Sequence, residues 1–510
     1  MPPKLNLVGR HPITIDSALE EEKNVINWAS YGPATDKLYD HLWTQRRAIE
    51  ALIQHHLALG KRDTCTVLPP QHWIRGSFNI CILVEIYSAL PSNKVLFRCP
   101  IPHKLAEARY PGTIDEKLGC EVGAYIWVQE HCPEIRSPDL FGFGFLDGRH
   151  FTHSKHMPFF SRLTRRFWRT VYKLLRLPLL SHYVWNPPSR QVGSAYMVLE
   201  YLGPETGRML SDTFETYRDD EVRRQTLFKG ISRIILSLAR IPQARIGSFQ
   251  FNNDSTVTLT NRPLSCSMMI LENDGAPRTM QREDTYSCTD AFVSDTLTFH
   301  DDRFLSQPNA VYSEDDCRGQ MAVKALLRVL SHDFIQRELR SGPFLLQLTD
   351  FHASNILVDK QWNVMGLIDL EWICALPPEM LEVPYWLTGC AIDQIKNEKL
   401  DRYDEVRQEF MRAFQEEERA TKAKARHGIQ LSKVMQGMWE SKGVWFWHCL
   451  SSVNAMYFLL ETHLYPPESL SLDAEMIVSS FWCRDPDDVV RKKMADKQAY
   501  DDEVRSLFCD

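Results

Sequence analysis

Apolar positions recur along this chain with two different periods, and the change from one to the other divides it into successive regions. Leu38, Leu42, Ile49, Leu52 and Ile53 fall at helical spacing and predict a helix within 36–59, before Pro69-Pro70 closes the region. From Trp73 the pattern turns to β. Residues 80–87 and 95–98 are dense in branched and aromatic side chains and flank the turn signal Pro91-Ser92-Asn93, which predicts two antiparallel strands. Leu118, Val122, Tyr125 and Ile126 then share one face of a proline-free helix over 114–130, ending near Pro133. Further strands are expected at 140–145 and 195–201, the second closed by Leu202-Gly203-Pro204.

After Pro204 helical periodicity dominates, over 221–240, 319–339, 398–424 and 433–464, interrupted by a β-rich stretch at 246–260. The polar segment 273–307 reads as a loop or lid. An insertion at 147–194 separates two of the expected strands, and no Asp or Glu occurs from Arg149 to Leu199. Within it Leu163, Phe167, Val171 and Leu174 share a helical face, while Arg162, Arg165, Arg166, Arg169, Lys173 and Arg176 lie largely elsewhere. That pattern leaves three readings open: a solvated helix packed on the body, a patch for an anionic membrane surface or partner, or part of a lid over a substrate.

Composition narrows the class. Hydrophobic residues at 44% and charged residues at 25% are ordinary globular usage, and 510 residues exceed one usual domain. A net charge of −7 carries no overall footprint for nucleic acid, so no nucleic-acid partner is expected. Thirteen cysteines without a C-x-x-C pair argue against a zinc site or disulfide framework. No targeting signal is readable and no apolar run reaches the roughly 18 residues of a membrane span, so a cytoplasmic location is expected.

One segment carries chemistry: Phe344-Leu-Leu-Gln-Leu-Thr-Asp350-Phe-His352-Ala-Ser-Asn355-Ile-Leu-Val-Asp359, then Val364-Met-Gly-Leu-Ile-Asp369-Leu-Glu371-Trp372. An apolar strand delivers Asp350 into a short loop, Asn355 leaves it, and a hairpin returns a second strand ending at Asp369, so the three should converge. Phosphoryl transfer asks for such a set, in which one carboxylate orients and deprotonates the acceptor hydroxyl and two oxygen donors hold Mg²⁺. Asp350 suits the first role, Asn355 and Asp369 the second.

The Asp350–Asp359 run resembles the D-L-H-x-x-N-I-x-V-D loop of aminoglycoside and choline kinases, and Leu367-Ile-Asp369-Leu-Glu-Trp resembles their metal-binding strand. Arg75-Gly-Ser-Phe-Asn79, Ile246-Gly-Ser-Phe249 with Asn261-Arg-Pro-Leu264, and Pro384-Tyr-Trp-Leu-Thr388 are similar to segments of the fungal aminoglycoside-phosphotransferase-domain proteins. The resemblance spans about 72–465 and implies an α+β, two-lobed protein-kinase-like fold. The division it suggests is a helical lead-in at 1–71, a β-rich lobe at 72–203, a helical lobe at 204–465 and a tail at 466–510. It implies ATP and Mg²⁺ as cofactors and a hydroxyl of a small molecule as acceptor. Gly76, Ser77 and Asn79 would cover the phosphates, Glu121 would pair with a basic strand residue, and Glu200 to Leu202 would hold the adenine.

Three positions depart from that pattern. Arg98 stands where the family's strand lysine is expected, with Lys94 on the same strand face by period two. The glycine loop keeps Gly76 alone, and Leu348-Thr349 replaces the usual His-Gly before Asp350. The resemblance is therefore compatible with either a working phosphotransferase or a pseudokinase, a nucleotide-binding or regulatory module without turnover.

Overall fold

The computed structural model describes residues 4–8, 10–87, 93–421, 425–465 and 472–509. The chain is a mixed α+β protein with antiparallel sheets. Its largest sheet has eight strands, in the order Thr64–Val67, Asn79–Tyr87, Asn93–Pro100, Tyr196–Glu200, Leu140–Gly144, His150–His153 and Tyr183–Trp185, with Ile74–Arg75 beside Asn79–Tyr87.

Register decides what each face of this sheet meets. Phe97 lies opposite Ile82 and Val198, and Arg98 lies opposite Cys81 and Met197. Because side chains alternate along a strand, Phe97, Ile82, Val84 and Val198 share the face packed with Ile49, Leu52 and Ile53 of the helix Arg46–Leu57. Arg98 and Met197 turn the opposite way, toward the helix Thr113–His131, whose Leu118, Val122 and Tyr125 belong to the larger core.

That helix is buried almost all round, since the strand Gly247–Phe251 closes its far side. Gly123 makes the approach possible: a Cβ there would lie 2.7 Å from Phe249 Cβ. Gly247–Phe251 belongs to a five-stranded sheet with Leu345–Leu348, Ile373–Leu376, Thr256–Asn261 and Leu179–Leu180. A third sheet, Arg208–Met209, Ile356–Val358 and Val364–Leu367, completes the β structure.

Several elements differ from the sequence expectation. The helix expected within 36–59 is two, Val25–Thr44 and Arg46–Leu57, meeting at Gln45. The stretch 433–464 breaks into Leu431–Glu440, Gly443–Ser451 and Met456–Leu459, the first break falling at Lys442 with φ +62°. The segment 273–307, expected as a loop, contains the helix Thr289–Ser306. Val293, Leu297, His300 and Phe304 are its buried stripe at helical spacing, diluted in composition by polar residues such as Ser294 and Thr298 on the other faces. Pro91-Ser92 and the end of the 398–424 helix lie outside the described residues.

The first and last stretches meet in space. Ala18, Val25, Tyr500, Val504 and Phe508 form one small core, and Val25 N donates to Tyr500 Oη at 2.9 Å. Among the described residues no helix is long and apolar enough to cross a membrane.

Gly123→Ala tests the helix placement. Alanine would ordinarily favour a helix interior by about 1 kcal/mol, so a net loss of about 1–3 kcal/mol in urea unfolding is the expected signature of the clash with Phe249. A gain in stability would show that the helix has room to move away from the strand.

Candidate active site

The strand Leu345–Leu348 pairs with Ile373–Leu376 and ends where Thr349 N and Thr349 Oγ1 both donate to the Trp372 carbonyl, at 3.0 and 2.9 Å. Asp350 therefore leaves the sheet as the first residue of a loop. Asn355 closes that loop by donating its side-chain amide to the Asp350 carbonyl at 3.0 Å. Its own backbone carbonyl accepts from Ile368 N at 2.9 Å, tying the loop to the residue before Asp369. Asn355 Oδ1 accepts no hydrogen bond from the described residues.

Between the two runs, Ile356–Val358 and Val364–Leu367 form the expected hairpin, its turn held by Asp359 accepting from Gln361 N and Asn363 N at 2.8 and 2.9 Å. Asp369 follows with φ +64°. A non-glycine residue in this left-handed region costs on the order of 1 kcal/mol, so surrounding contacts must hold it there.

Those contacts come from a buried charge cluster. Arg98 Nη2 donates to Asp369 Oδ1 at 2.7 Å and to Glu371 Oε2 at 3.1 Å, while Nη1 lies 3.5 Å from Glu121 Oε1. Lys117, one helical turn before Glu121, donates to Glu121 Oε2 at 2.9 Å and to Asn79 Oδ1 at 2.8 Å, and pairs with Glu371. Asn79 Nδ2 donates to Glu371 Oε2 at 2.7 Å. Carboxylate oxygens of Glu121, Asp369 and Glu371 lie within 4.8 Å of one another. Arg98 Nε and Glu121 Oε1 are buried without a hydrogen-bond partner.

Three carboxylates against two cations leave one negative charge uncompensated, and the titration behaviour follows. Burial pushes Asp369 up to about 6 against the pull of Arg98, with Glu371 and Glu121 adding to the rise. Burial alone would raise Glu371 too, but Lys117 and Arg98 outweigh it and hold that carboxyl below its ordinary value. His352 is raised chiefly by Asp350, whose Oδ1 lies 3.7 Å from its Nε2, with burial opposing. The Cys266 thiol is pushed well up, first by burial and then by Asp350, Glu371 and Asp369, so all three carboxylates act on one group.

The site residues read from the sequence are distributed unevenly. Arg98, Glu121 and Asp369 meet directly, and Asp350 and Asn355 share the adjoining loop. Asn79 does not sit in an exposed loop: it is buried in the charge cluster, leaving Gly76 and Ser77 alone at the exposed turn between Ile74–Arg75 and Asn79–Tyr87. Glu200 is engaged by Arg136 Nη2 at 2.5 Å and Asp139 N at 3.0 Å, and Leu202 follows in the segment that leads to Arg208–Met209. Lys94 is remote from the cluster and pairs with Glu85 at 3.3 Å.

Lys117, Glu371 and Cys266 were missed in the sequence. For Lys117 the signal was present, a Lys-x-x-x-Glu pair on a helix otherwise apolar enough to be buried. A cavity of about 1080 Å³ lies between the helix Glu221–Ala239, the hairpin, Glu417 and the stretch 427–430, but none of the cluster residues lines it. The charge cluster is therefore separate from this cavity. No protein-family model matches the chain, and the search of curated proteins finds no match to it.

Two outcomes follow from the cluster. Lys117→Met should cost about 3–5 kcal/mol in denaturant unfolding, because Glu121 and Glu371 would then share Arg98 alone. Asp369 favours its protonated form in the folded chain, so its stabilising contribution is full below its unfolded value near 3.8 and lost as pH rises through about 6. Wild type should lose stability relative to Asp369→Asn between about pH 4 and pH 7 in thermal melts, and parallel profiles would refute the assignment.

Proposed function

We propose that the chain is an ATP-dependent phosphotransferase of the protein-kinase-like superfamily, similar to aminoglycoside and choline kinases, that transfers the γ-phosphoryl group to a hydroxyl of a small molecule. In this reading the eight-stranded sheet with the helix Thr113–His131 forms a small lobe. The helical region after Pro204 forms the large one, and Glu200 to Leu202 is the hinge between them. The observation that carries the reading is the junction at Arg98. One basic strand residue joins a helix glutamate, Glu121, to the carboxylate Asp369 that follows the hairpin, beside the loop bearing Asp350 and Asn355.

The donor set fits a hard cation. Asn355 Oδ1 has no partner among the described residues, Asp369 is 26% exposed, and the surrounding carboxylates carry an excess negative charge. Asn355 and Asp369 would hold Mg²⁺, and Arg98 would reach phosphate oxygens through its forked guanidinium. Bound Mg²⁺–ATP supplies the transferable phosphoryl group and neutralises its charge. Asp350, 32% exposed at the loop's start, orients the acceptor hydroxyl and takes its proton, with His352 steadying the carboxylate.

Two observations favour a second reading, a pseudokinase that binds nucleotide or regulates without turnover. Arg98 already engages the Asp369 carboxylate at 2.7 Å, and Asn79 is withdrawn from the turn at Gly76. Metal binding at Asp369 would have to compete with that ion pair.

ADP release measured across a panel of hydroxyl-bearing metabolites, together with Mg²⁺–ATP thermal shifts, separates the two. For a phosphotransferase, Asp350→Ala should lower turnover about 10²–10⁴-fold while keeping the thermal shift, and Asp369→Ala should lose the metal-dependent part of the shift. A shift with the same background turnover in wild type and Asp350→Ala would select the pseudokinase. No metal-dependent shift at all would reject both.

A further inference from the structure

The helix Phe159–Leu174 has its polarity reversed relative to an ordinary surface helix, and it contributes no buried residue. A helix at the surface of a globular protein normally turns its apolar stripe inward. Here arginines anchor the inward side. Arg165 Nε donates to the Ser181 carbonyl at 2.8 Å, and Arg169 donates to the Leu180 carbonyl at 2.9 Å and to Glu130 Oε2 at 2.6 Å. The opposite side presents Phe160, Leu163, Phe167 and Leu174 at helical spacing, with exposures of 78%, 55%, 60% and 80%. Phe159 and Leu175 extend the patch at either end, and both are more than half exposed.

The same helix and the turn after it carry cations that no carboxylate pairs with among the described residues. Arg162, Arg166, Lys173 and Arg176 are exposed and form no ion pair among the described residues, whereas Arg149, Lys155 and Arg169 each have an acidic partner. Arg162, Arg166 and Lys173 fall along one edge of the apolar stripe at 100° per residue. The chain as a whole bears −7, yet no Asp or Glu occurs between 149 and 199, so this segment of an acidic protein is itself strongly basic.

We propose that the helix Phe159–Leu174 is an interfacial anchor that lays its apolar stripe into the surface of an anionic phospholipid bilayer. An exposed aromatic and leucine stripe gains free energy by entering the boundary between headgroups and acyl chains, and a flanking row of Lys and Arg adds attraction to anionic headgroups. Charge complementarity selects a lipid surface over a second copy of this chain, whose identical helix would bring like charges together. The hydrogen bonds of Arg165 and Arg169 fix the helix to the body, so docking would set the orientation of the whole protein on the membrane. This inference uses none of the charge-cluster residues and stands independently of phosphoryl transfer.

Co-sedimentation of the full chain with phosphatidylcholine vesicles, with and without phosphatidylserine, tests it. Wild type should pellet with the phosphatidylserine vesicles and be released as salt rises. Phe160→Ser with Phe167→Ser should weaken that binding about tenfold or more, as should Arg166→Glu with Lys173→Glu, all at exposed positions where circular dichroism and melting temperature should stay unchanged. Equal pelleting with both vesicle types, or variants that pellet like wild type, would overturn the proposal. So would a wild-type dimer in size-exclusion chromatography that ignores vesicles and is dissolved by the double serine variant, since the face would then belong to a second copy.

Discussion

Arg98 is the point on which the site's geometry depends. Its guanidinium is almost fully buried and lies against Glu121 from the helix, Asp369 from the end of the hairpin and Glu371 two residues on. A buried cation is tolerable only when paired, and a buried carboxylate likewise, so each of these elements is constrained by the charges on the others. Lys117 and Asn79 complete the arrangement by satisfying the oxygens that Arg98 does not reach. Removing one partner leaves a charge stranded in an apolar surrounding, where rearrangement of packed neighbours is costly.

The fold brings these groups together through register and close approach. Strand alternation aims Arg98 at the helix Thr113–His131 and Phe97 away from it. Gly123 lets the same helix press against Gly247–Phe251, and the left-handed turn at Asp369 accommodates the change of direction between Val364–Leu367 and Ile373–Leu376. The loop at Asp350 is tied to this turn through the backbone hydrogen bond from Ile368 to Asn355. Its position therefore follows from the packing of three sheets and one helix.

Much of this was legible beforehand in particular residues. The strands 80–87 and 95–98, the helix 114–130, and the loop–hairpin run from Asp350 to Asp369 were visible because strong periodicity and turn chemistry are local signals. The helix Thr289–Ser306 was not, since its apolar stripe is interleaved with Asp, Ser and Thr that read as loop. Asn79 looked like a loop residue because its neighbours Gly76 and Ser77 are, while its burial depends on Lys117 and Glu371, far away in sequence.

The amphipathic pattern at 159–174 shows the same division most plainly. The sequence alone determined that a basic helix with one apolar face would form there, because helical spacing is a property of neighbouring residues. It also determined that Asp350, Asn355 and Asp369 would sit at the ends of short strands. Only the tertiary structure decided that the helix turns its apolar face outward, that Lys117 rather than Lys94 joins Arg98, and that Glu371 shares their charge. Those outcomes depend on which distant surfaces meet, and burial and ion pairing are created by that meeting rather than by any local stretch of chain.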